Sequence, residues 1–145
     1  MYFVDRNKIE ETLLYMEGLL QELEQHSFES FLEKLSLERI SQMIIESMLD
    51  VGNMMIDGFI MRDPGSFFDI IDILVDERVL PVDQIDNYKE IIGLRQKLVK
   101  EYLTVNHDFI FETMNKHFDE LEQFSTHIRT YLNNELDVVT AFSKE

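Results

Sequence analysis

Apolar residues recur at intervals of three and four positions along most of the chain, a spacing that predicts amphipathic helices. The first predicted helix runs from about Asp5 to His26, with an apolar stripe on one side and glutamates on the other. The second runs from an N-cap at Ser36 to about Met61 and is apolar on two faces, as expected of a central helix or one that also meets a partner. Gly52 in its interior predicts close approach of another helix, because Gly costs about 1 kcal/mol relative to Ala there.

Turn residues divide the second half of the chain into three further helices. Residues 62–66, RDPGS, form a turn by composition, and Ser66 with Asp69 has the pattern of a capping box. The predicted bounds are Ser66 to Val75 for the third helix, Pro81 to Leu103 for the fourth and Asn106 to Leu136 for the fifth. No linker or repeat interrupts this series. The sequence therefore predicts one domain over residues 1–145, an all-α, five-helix, up-and-down bundle.

One residue breaks the apolar pattern of the fourth helix. At helical spacing the stripe contains Tyr88, Ile92, Val99 and Tyr102, and Arg95 falls in its middle, where a Leu would be expected. A guanidinium on a core-facing line must be paired and hydrogen-bonded, because an unpaired buried charge destabilises a fold strongly. Arg95 is therefore either a structural ion-pair partner or part of a site.

The neighbours of Arg95 favour a site over a purely structural role. Three lysines surround it and make this the only locally basic segment of the chain: Lys89, Lys97 and Lys100. A lone Arg on a helix is more often structural than functional. Two polar residues within the apolar second helix, Asp50 and Asn53, are the candidate structural partners. Pairing with Arg95 would satisfy the hydrogen-bonding groups of both partners.

Composition indicates a folded helical protein. Of 145 residues, 45% are hydrophobic and 29% charged, which is typical of a globular chain and not of a disordered one. Cysteine is absent, so disulfides and thiolate metal sites are excluded and a reducing compartment is favoured. The most apolar window, Met43 to Met61, contains Glu46, Asp50 and Asp57, each costly in hydrocarbon. We therefore expect no membrane span and a cytoplasmic location.

Charge and histidine spacing narrow the possible chemistry. The formal net charge of −16 argues against non-specific binding of nucleic acid but leaves room for a small local site. Three histidines are ten residues apart: His107, His117 and His127. On one helix each is turned about 80° from the last and lies roughly 15 Å further along, so the three cannot converge on one metal ion. The chain has no Glu-x-x-His motif of a di-iron bundle and no Gly-rich phosphate loop. We expect neither a metal nor a cofactor.

Two stretches of the chain resemble the HepT family of the HEPN superfamily: RDPGSFFDIIDILVDERVLP at residues 62–81 and GLRQKLVKEY at residues 93–102. The resemblance implies a small all-α homodimer whose late helix carries the motif Arg-Asn-x-x-x-His-x-Tyr. It also implies a toxin-like, metal-independent RNA endonuclease. In such an enzyme the motif Arg stabilises the charge of the phosphorane-like transition state, and the motif His acts as general acid and base at the 2′-hydroxyl.

This chain keeps two positions of the family motif and changes two. Arg95 and Tyr102 match, whereas Gln96 stands in place of Asn and Lys100 in place of His. A Lys has an unperturbed pKa of about 10.4, so it cannot accept a proton at neutral pH unless it is strongly desolvated. We therefore expect RNA cleavage to be weak or absent. On an ideal helix Arg95 and Lys100 are about 140° apart and converge only if the helix end is broken or a second subunit contributes.

Two functions stay open at this point. The first is a HepT-like RNA endonuclease of a toxin–antitoxin system, with Arg95 binding phosphate and Lys100 replacing the usual base. In HepT relatives the motif Tyr can be adenylylated by a nucleotidyltransferase antitoxin, which makes Tyr102 a candidate for modification and such an antitoxin a candidate partner. The second is a non-enzymatic dimeric helical module that binds a protein or nucleotide and has lost cleavage. Under either function we expect a homodimer, with the second and fourth helices at its interface.

Overall fold

A computed structural model describes residues 4–143 of the chain, and in that range every regular element is helical. The α-helices are α1 (Arg6–Gln25), α2 (Phe31–Gly58), α3 (Phe67–Asp76), α4 (Ile85–Arg95), α5 (His107–Lys116) and α6 (Phe118–Ser143). Short 3₁₀ turns lie at Val82–Gln84 and Tyr102–Thr104, and a π turn lies at Gln96–Lys100. The predicted all-α bundle is confirmed.

Helix α2 lies at the centre of the bundle. It packs most extensively against α1 and also contacts α3, α4 and α5. Both of its apolar faces are buried, as shown by Ile44 and Met48 on one face and by Ile45 and Ile56 on the other. Two buried apolar faces are what the sequence predicts for a central helix, because each face packs against different neighbouring helices.

Helix α3 packs closely against α2 at Gly52. A Cβ atom built on Gly52 would lie 2.5 Å from Cγ2 of Ile70, which is itself buried. The predicted close approach of another helix is therefore present, and the neighbour is α3.

Helix α2 begins six residues earlier than predicted. Its N-cap is Ser30 and not Ser36: Ser30 Oγ accepts from Glu33 N–H at 3.1 Å, and Glu33 Oε1 accepts from Ser30 N–H at 2.9 Å. This reciprocal pair is a capping box, which satisfies two backbone donors at once. Ser36 lies inside the helix, where its hydroxyl donates to the Leu32 carbonyl at 3.1 Å. Most of the predicted connector before Ser36 is therefore helical.

The predicted fifth helix is two helices that meet at His117. Helix α5 ends at Lys116 and α6 begins at Phe118, while His117 has a non-helical backbone with φ −108° and ψ 21°. The apolar stripe runs through the break, because His117 is itself buried and its Nε2 lies 2.8 Å from Glu90 Oε2. A one-residue break that keeps the stripe in phase leaves no mark in the periodicity. Helix α6 also continues to Ser143, beyond the predicted end at Leu136.

Helices α2 and α3 both end with a residue in the left-handed backbone region that is not glycine. Ile60 has φ 56° and Arg78 has φ 63°. The N–H groups of the next residues, Met61 and Val79, donate to carbonyls five positions earlier at 2.9 and 2.8 Å. These are the hydrogen bonds of a Schellman motif, whose left-handed position is usually glycine because glycine has no Cβ to clash. Each of the two helix ends therefore stores backbone strain.

Among the described helices, none combines the length and the apolar character needed to cross a bilayer.

Candidate phosphate-binding site at the end of helix α4

Arg95 is the last residue of α4, and its side chain is 26% exposed. Its Nε donates to Glu46 Oε1 of α2 at 2.5 Å. Its guanidinium carbon lies 4.5 Å from the centroid of the Phe67 ring, at the start of α3. The side chain is thus held by an ion pair on one side and a cation–π contact on the other, which resolves the problem of a charge on a core-facing line.

The Glu46 contact uses only one of the hydrogen-bond donors of Arg95. A guanidinium has five N–H donors, and four of them are on the two terminal nitrogens. Among the described residues, the hydrogen bond from Nε is the one that Arg95 makes to a carboxylate. The planar edge formed by Nη1 and Nη2 matches the spacing of two phosphate oxygens. The arrangement can therefore hold the guanidinium in place and offer it to a phosphate at the same time.

The structural partner of Arg95 differs from the prediction. Asp50 and Asn53 were the predicted partners, but both are exposed, and the ion pair is with Glu46. Glu46 lies one helical turn before Asp50, on the same face of α2. The predicted partners are therefore wrong, although they lie on the same helix and face as the actual partner. The sequence alone does not fix the position along α2 at which α4 crosses it.

The chain after Arg95 forms a π turn, and not the continuous α-helix predicted as far as Leu103. Glu101 N–H donates to the Gln96 carbonyl at 3.2 Å, a bond between residues five apart. Such a turn is wider than an α turn, so residues five apart are turned less from each other around the axis than on an α-helix. Arg95 and Lys100 are also five apart, so the π turn brings Lys100 toward the side of the helix that Arg95 occupies. The broken helix end that convergence requires is present.

The π turn also changes which residues face the core. Leu98 is buried, whereas Val99 is half-buried and Tyr102 is 65% exposed. The predicted stripe through Val99 and Tyr102 is therefore wrong, because a spacing of 3.6 residues per turn does not hold across a wider turn.

The end of α4 presents cations beside partly open aromatic rings. Gln96, Lys97 and Lys100 are all exposed. Lys97 Nζ lies 5.5 Å from the centroid of the Phe109 ring on α5, so it repeats the contact that Arg95 makes with Phe67. The two rings remain 46% (Phe67) and 41% (Phe109) exposed. A flexible polyanion with unstacked bases could contact both the charges and the rings.

Sequence reasoning missed three residues of this site: Glu46, Phe67 and Phe109. Glu46 carried a usable signal, because it is a carboxylate on the same face of the second helix as Asp50, four residues away. Phe67 and Phe109 carried none, since apolar residues at the start of a helix are expected to be core. Their exposure is visible only when the helices are placed.

Each of the three histidines spaced by ten residues lies beside a different partner on another helix or turn. Their Nε2 atoms lie within 3.2 Å of a carboxylate or amide oxygen: His107 of Glu38, His117 of Glu90 and His127 of Gln84. In the described part of the chain, no group of three or more His, Cys, Asp or Glu residues is arranged to hold a metal ion.

Known proteins share this fold and much of this sequence. A sequence model of the family described as ribonuclease HepT-like matches residues 9–128. The Bacillus subtilis protein named "Putative RNase YutE" is 46% identical over 143 residues, which are 98% of this chain and 99% of that protein. A solved structure described as the cytosolic protein of unknown function YutE from Bacillus subtilis superposes with a TM-score of 0.92 at 46% identity, covering 94% of this chain and 96% of that one.

A more distant structure shares the fold alone. It is the tri-AMPylated HEPN toxin of Shewanella oneidensis in complex with MNT antitoxin, with a TM-score of 0.75 at 22% identity, over 84% of this chain and 96% of that one.

Proposed function

The chain belongs to the ribonuclease HepT-like family, and on that premise we propose that Arg95 binds a phosphate of an RNA chain at the end of α4. The observation that carries this proposal is the fixed guanidinium, which Glu46 and Phe67 hold while its terminal nitrogens remain available. Lys97 and Lys100 are exposed on the π turn beside it and add positive charge where a polyanion would lie.

The reaction that this site would support is attack of an RNA 2′-hydroxyl on the adjacent phosphorus. The P–O5′ bond breaks, and the products are a 2′,3′-cyclic phosphate and a 5′-hydroxyl. One group must take the proton of the 2′-hydroxyl and one must protonate the leaving oxygen. Arg95 would stabilise the negative charge that builds on the phosphate oxygens, which is the larger contribution in reactions of this kind.

Lys100 occupies the place of the family histidine, and this change weakens the proposed chemistry. Its side chain is exposed, so water solvates the ammonium group in place of a low-dielectric pocket. An ammonium group binds phosphate well but has no lone pair with which to accept a proton. We therefore propose a degenerate active site with weak cleavage or none, in which Gln96 replaces the family Asn as an exposed amide.

The proposal includes two kinds of protein partner. A homodimer would place a second copy of Arg95 and Lys100 near the first, and the site would then be shared. A nucleotidyltransferase antitoxin would have access to the hydroxyl of Tyr102, since this side chain is 65% exposed. We also propose that residues 1–145 form one HepT-like domain, in keeping with the family match over residues 9–128. We propose a cytoplasmic location as well, because the similar YutE structure is described as that of a cytosolic protein.

A second candidate function is a non-enzymatic dimeric module that binds RNA, a protein or a nucleotide without cleaving it. The exposed Lys100 favours this function, because the described site then contains phosphate-binding cations and no imidazole. Where the bound molecule is RNA, the two functions predict the same contacts for Arg95 and differ only in whether bonds are broken.

A cleavage assay separates them. Purified protein is incubated with single-stranded RNA in the presence of EDTA, and the products are examined for 2′,3′-cyclic phosphate ends. Arg95→Ala should lower any cleavage by about 100-fold, the effect of losing one donor to a developing oxyanion. Lys100→His should raise cleavage above wild type, because an imidazole titrates near neutral pH.

Arg39→Ala is the matched control, since Arg39 is an exposed arginine of α2 and its loss changes the net charge equally. If Arg39→Ala and Arg95→Ala lose RNA cleavage equally, the proposed role of Arg95 is wrong. If Lys100→His cuts no better than wild type, the account of the missing base is wrong. Fluorescence anisotropy with labelled RNA tests the module: binding that Arg95→Ala weakens, without cleavage products from wild type, is the result it predicts.

A further inference from the structure

A second cleft lies between the C-terminal end of α3 and helix α6, at the opposite end of α3 from the Phe67 ring that contacts Arg95. Its volume is about 630 Å³, within the range of roughly 300–1,000 Å³ found for small-molecule sites. One wall is apolar and comes from the end of α3 and the segment after it, including Val75, Val79 and Val82. The other wall is polar and comes from α6.

Three polar side chains of α6 line this second wall: His127, Thr130 and Asn134. They are spaced by three and four residues, so they share one face of the helix. His127 Nε2 lies 3.2 Å from Gln84 Oε1. Because an amide oxygen can only accept, Nε2 carries the proton, and in the neutral ring Nδ1 is left as an acceptor. Burial lowers the pKa of His127, although the nearby Asp83 carboxylate acts in the opposite direction.

Arg78 provides the positive charge of the cleft. It is the left-handed residue of the Schellman motif at the end of α3, with φ 63°, and its side chain lines the cleft. Glycine would occupy this position without strain, so the arginine is kept at a cost in stability. Strain of this kind is concentrated at ligand sites. The acidic residue that lines the cleft, Asp76, has its own partner, because its Oδ2 lies 3.6 Å from Arg62 Nη2.

We propose that this cleft binds a small ligand that has an apolar ring system and one anionic group. The apolar wall would cover the ring, Arg78 would pair with the anion, and the polar face of α6 would orient it. The neutral His127 and the amide of Asn134 supply both a hydrogen-bond acceptor and donors, which suits a ligand with a polar group on its ring.

The test uses two probes that differ in the anion. 8-Anilinonaphthalene-1-sulfonate has an aromatic body and a sulfonate, and N-phenyl-1-naphthylamine has the same body without the charge. Both are titrated by fluorescence into the folded full-length protein. Arg78→Gln should weaken the sulfonate probe about tenfold, the loss expected for one charged hydrogen bond, and should leave the neutral probe unchanged.

Arg39→Gln removes the same charge from an exposed site on α2 and should change neither affinity. Thr130→Trp places a large ring in the cleft from an exposed position and should weaken both probes, with unchanged circular dichroism showing that the fold is intact. If Arg39→Gln and Arg78→Gln act alike, no specific anion site exists. If both probes still bind to Thr130→Trp as to wild type, they bind elsewhere and the proposed site is wrong. Neither result bears on Arg95 or on RNA.

Discussion

The contacts of Arg95 orient the side chain more than they stabilise the fold. Arg95 and Glu46 are 26% and 29% exposed, and ion pairs this open to water contribute about 0–1 kcal/mol. Stacking on Phe67 adds about 0.5–1 kcal/mol. Fixing a free arginine side chain costs about 2 kcal/mol of rotamer entropy. Since folding already meets that cost here, a phosphate that binds Arg95 would not have to meet it again.

Ile60 offers a test of the backbone strain at the end of α2. Ile60→Gly should stabilise the protein by about 0.5–1 kcal/mol. Glycine relieves the strain of the left-handed conformation, which costs a residue with a Cβ about 1–2 kcal/mol. The greater freedom of glycine in the unfolded chain offsets about 0.4–1 kcal/mol of that stabilisation. Little apolar burial is lost, because Ile60 is 71% exposed. The free energy of unfolding is measured by urea denaturation.

Ile60→Ala is the control, because it removes the branched side chain but keeps the Cβ that causes the strain. It should stabilise less than Ile60→Gly. If the two variants have the same stability, the left-handed backbone is not the source of the difference.

At the scale of single helices, periodicity predicted the helices better than their ends. The stripes of α1 and α2 and the N-cap at Ser66 are as the sequence indicated, since Ser66 Oγ accepts from Asp69 N–H at 3.1 Å. The second half of the predicted capping box is different, because the Asp69 carboxylate accepts from Gly65 N–H at 2.9 Å. The wrong start of α2 could have been avoided, because Ser30 and Glu33 already have capping-box spacing. The π turn after Arg95 could not, since its sequence reads as ordinary helix and no local signal marks the wider turn in which Leu98 is buried.

The contact between α2 and α3 gives a prediction at this scale. Gly52→Ala should destabilise the protein by up to about 2 kcal/mol. The added Cβ would lie 2.5 Å from the buried Ile70, and overpacking of this kind costs about 1–3 kcal/mol. The better helix propensity of alanine recovers about 1 kcal/mol of that cost. Urea denaturation of wild type and variant measures the difference.

Gly18 is the matched control, because it also lies inside a helix, α1, but no atom beyond its own helix comes within 4 Å of a Cβ built there. Gly18→Ala should therefore show the propensity gain alone, about 1 kcal/mol of added stability. A loss at Gly18, or a gain at Gly52, would mean that packing does not decide the sign.

At the scale of the whole molecule, the bundle could be predicted from the sequence but the two candidate sites could be predicted only in part. The spacing of apolar residues and the family motif indicated an all-α bundle and Arg95. The cleft beside Arg78 had no signal, because it is formed by residues of α3 and α6 that are about 50 positions apart. With a net charge of −16, long-range electrostatics oppose RNA, so any binding depends on the local cations beside Arg95.

Several apolar side chains of the bundle remain open to water, and they give the last prediction. Leu103 is 86% exposed and Phe31 is 79% exposed, one after α4 and the other at the start of α2. These are the helices predicted for the dimer interface. The helix that follows Leu103 and the helix that begins at Phe31 are in contact, since His107 Nε2 of α5 lies 2.7 Å from Glu38 Oε2 of α2. Leu103→Glu should therefore convert a homodimer to a monomer at micromolar concentration, as measured by light scattering.

Val82→Glu is the control for this change, because Val82 is also an exposed apolar residue, at 73%, and lies at the α3–α6 cleft. It should leave the dimer intact, since the same charge is introduced outside the predicted interface. If the site is shared between subunits, Leu103→Glu should also weaken RNA binding, although Arg95 and Lys100 are unchanged. A monomeric wild type would remove the shared site, and each subunit would then have to bind RNA with its own Arg95 and π turn alone.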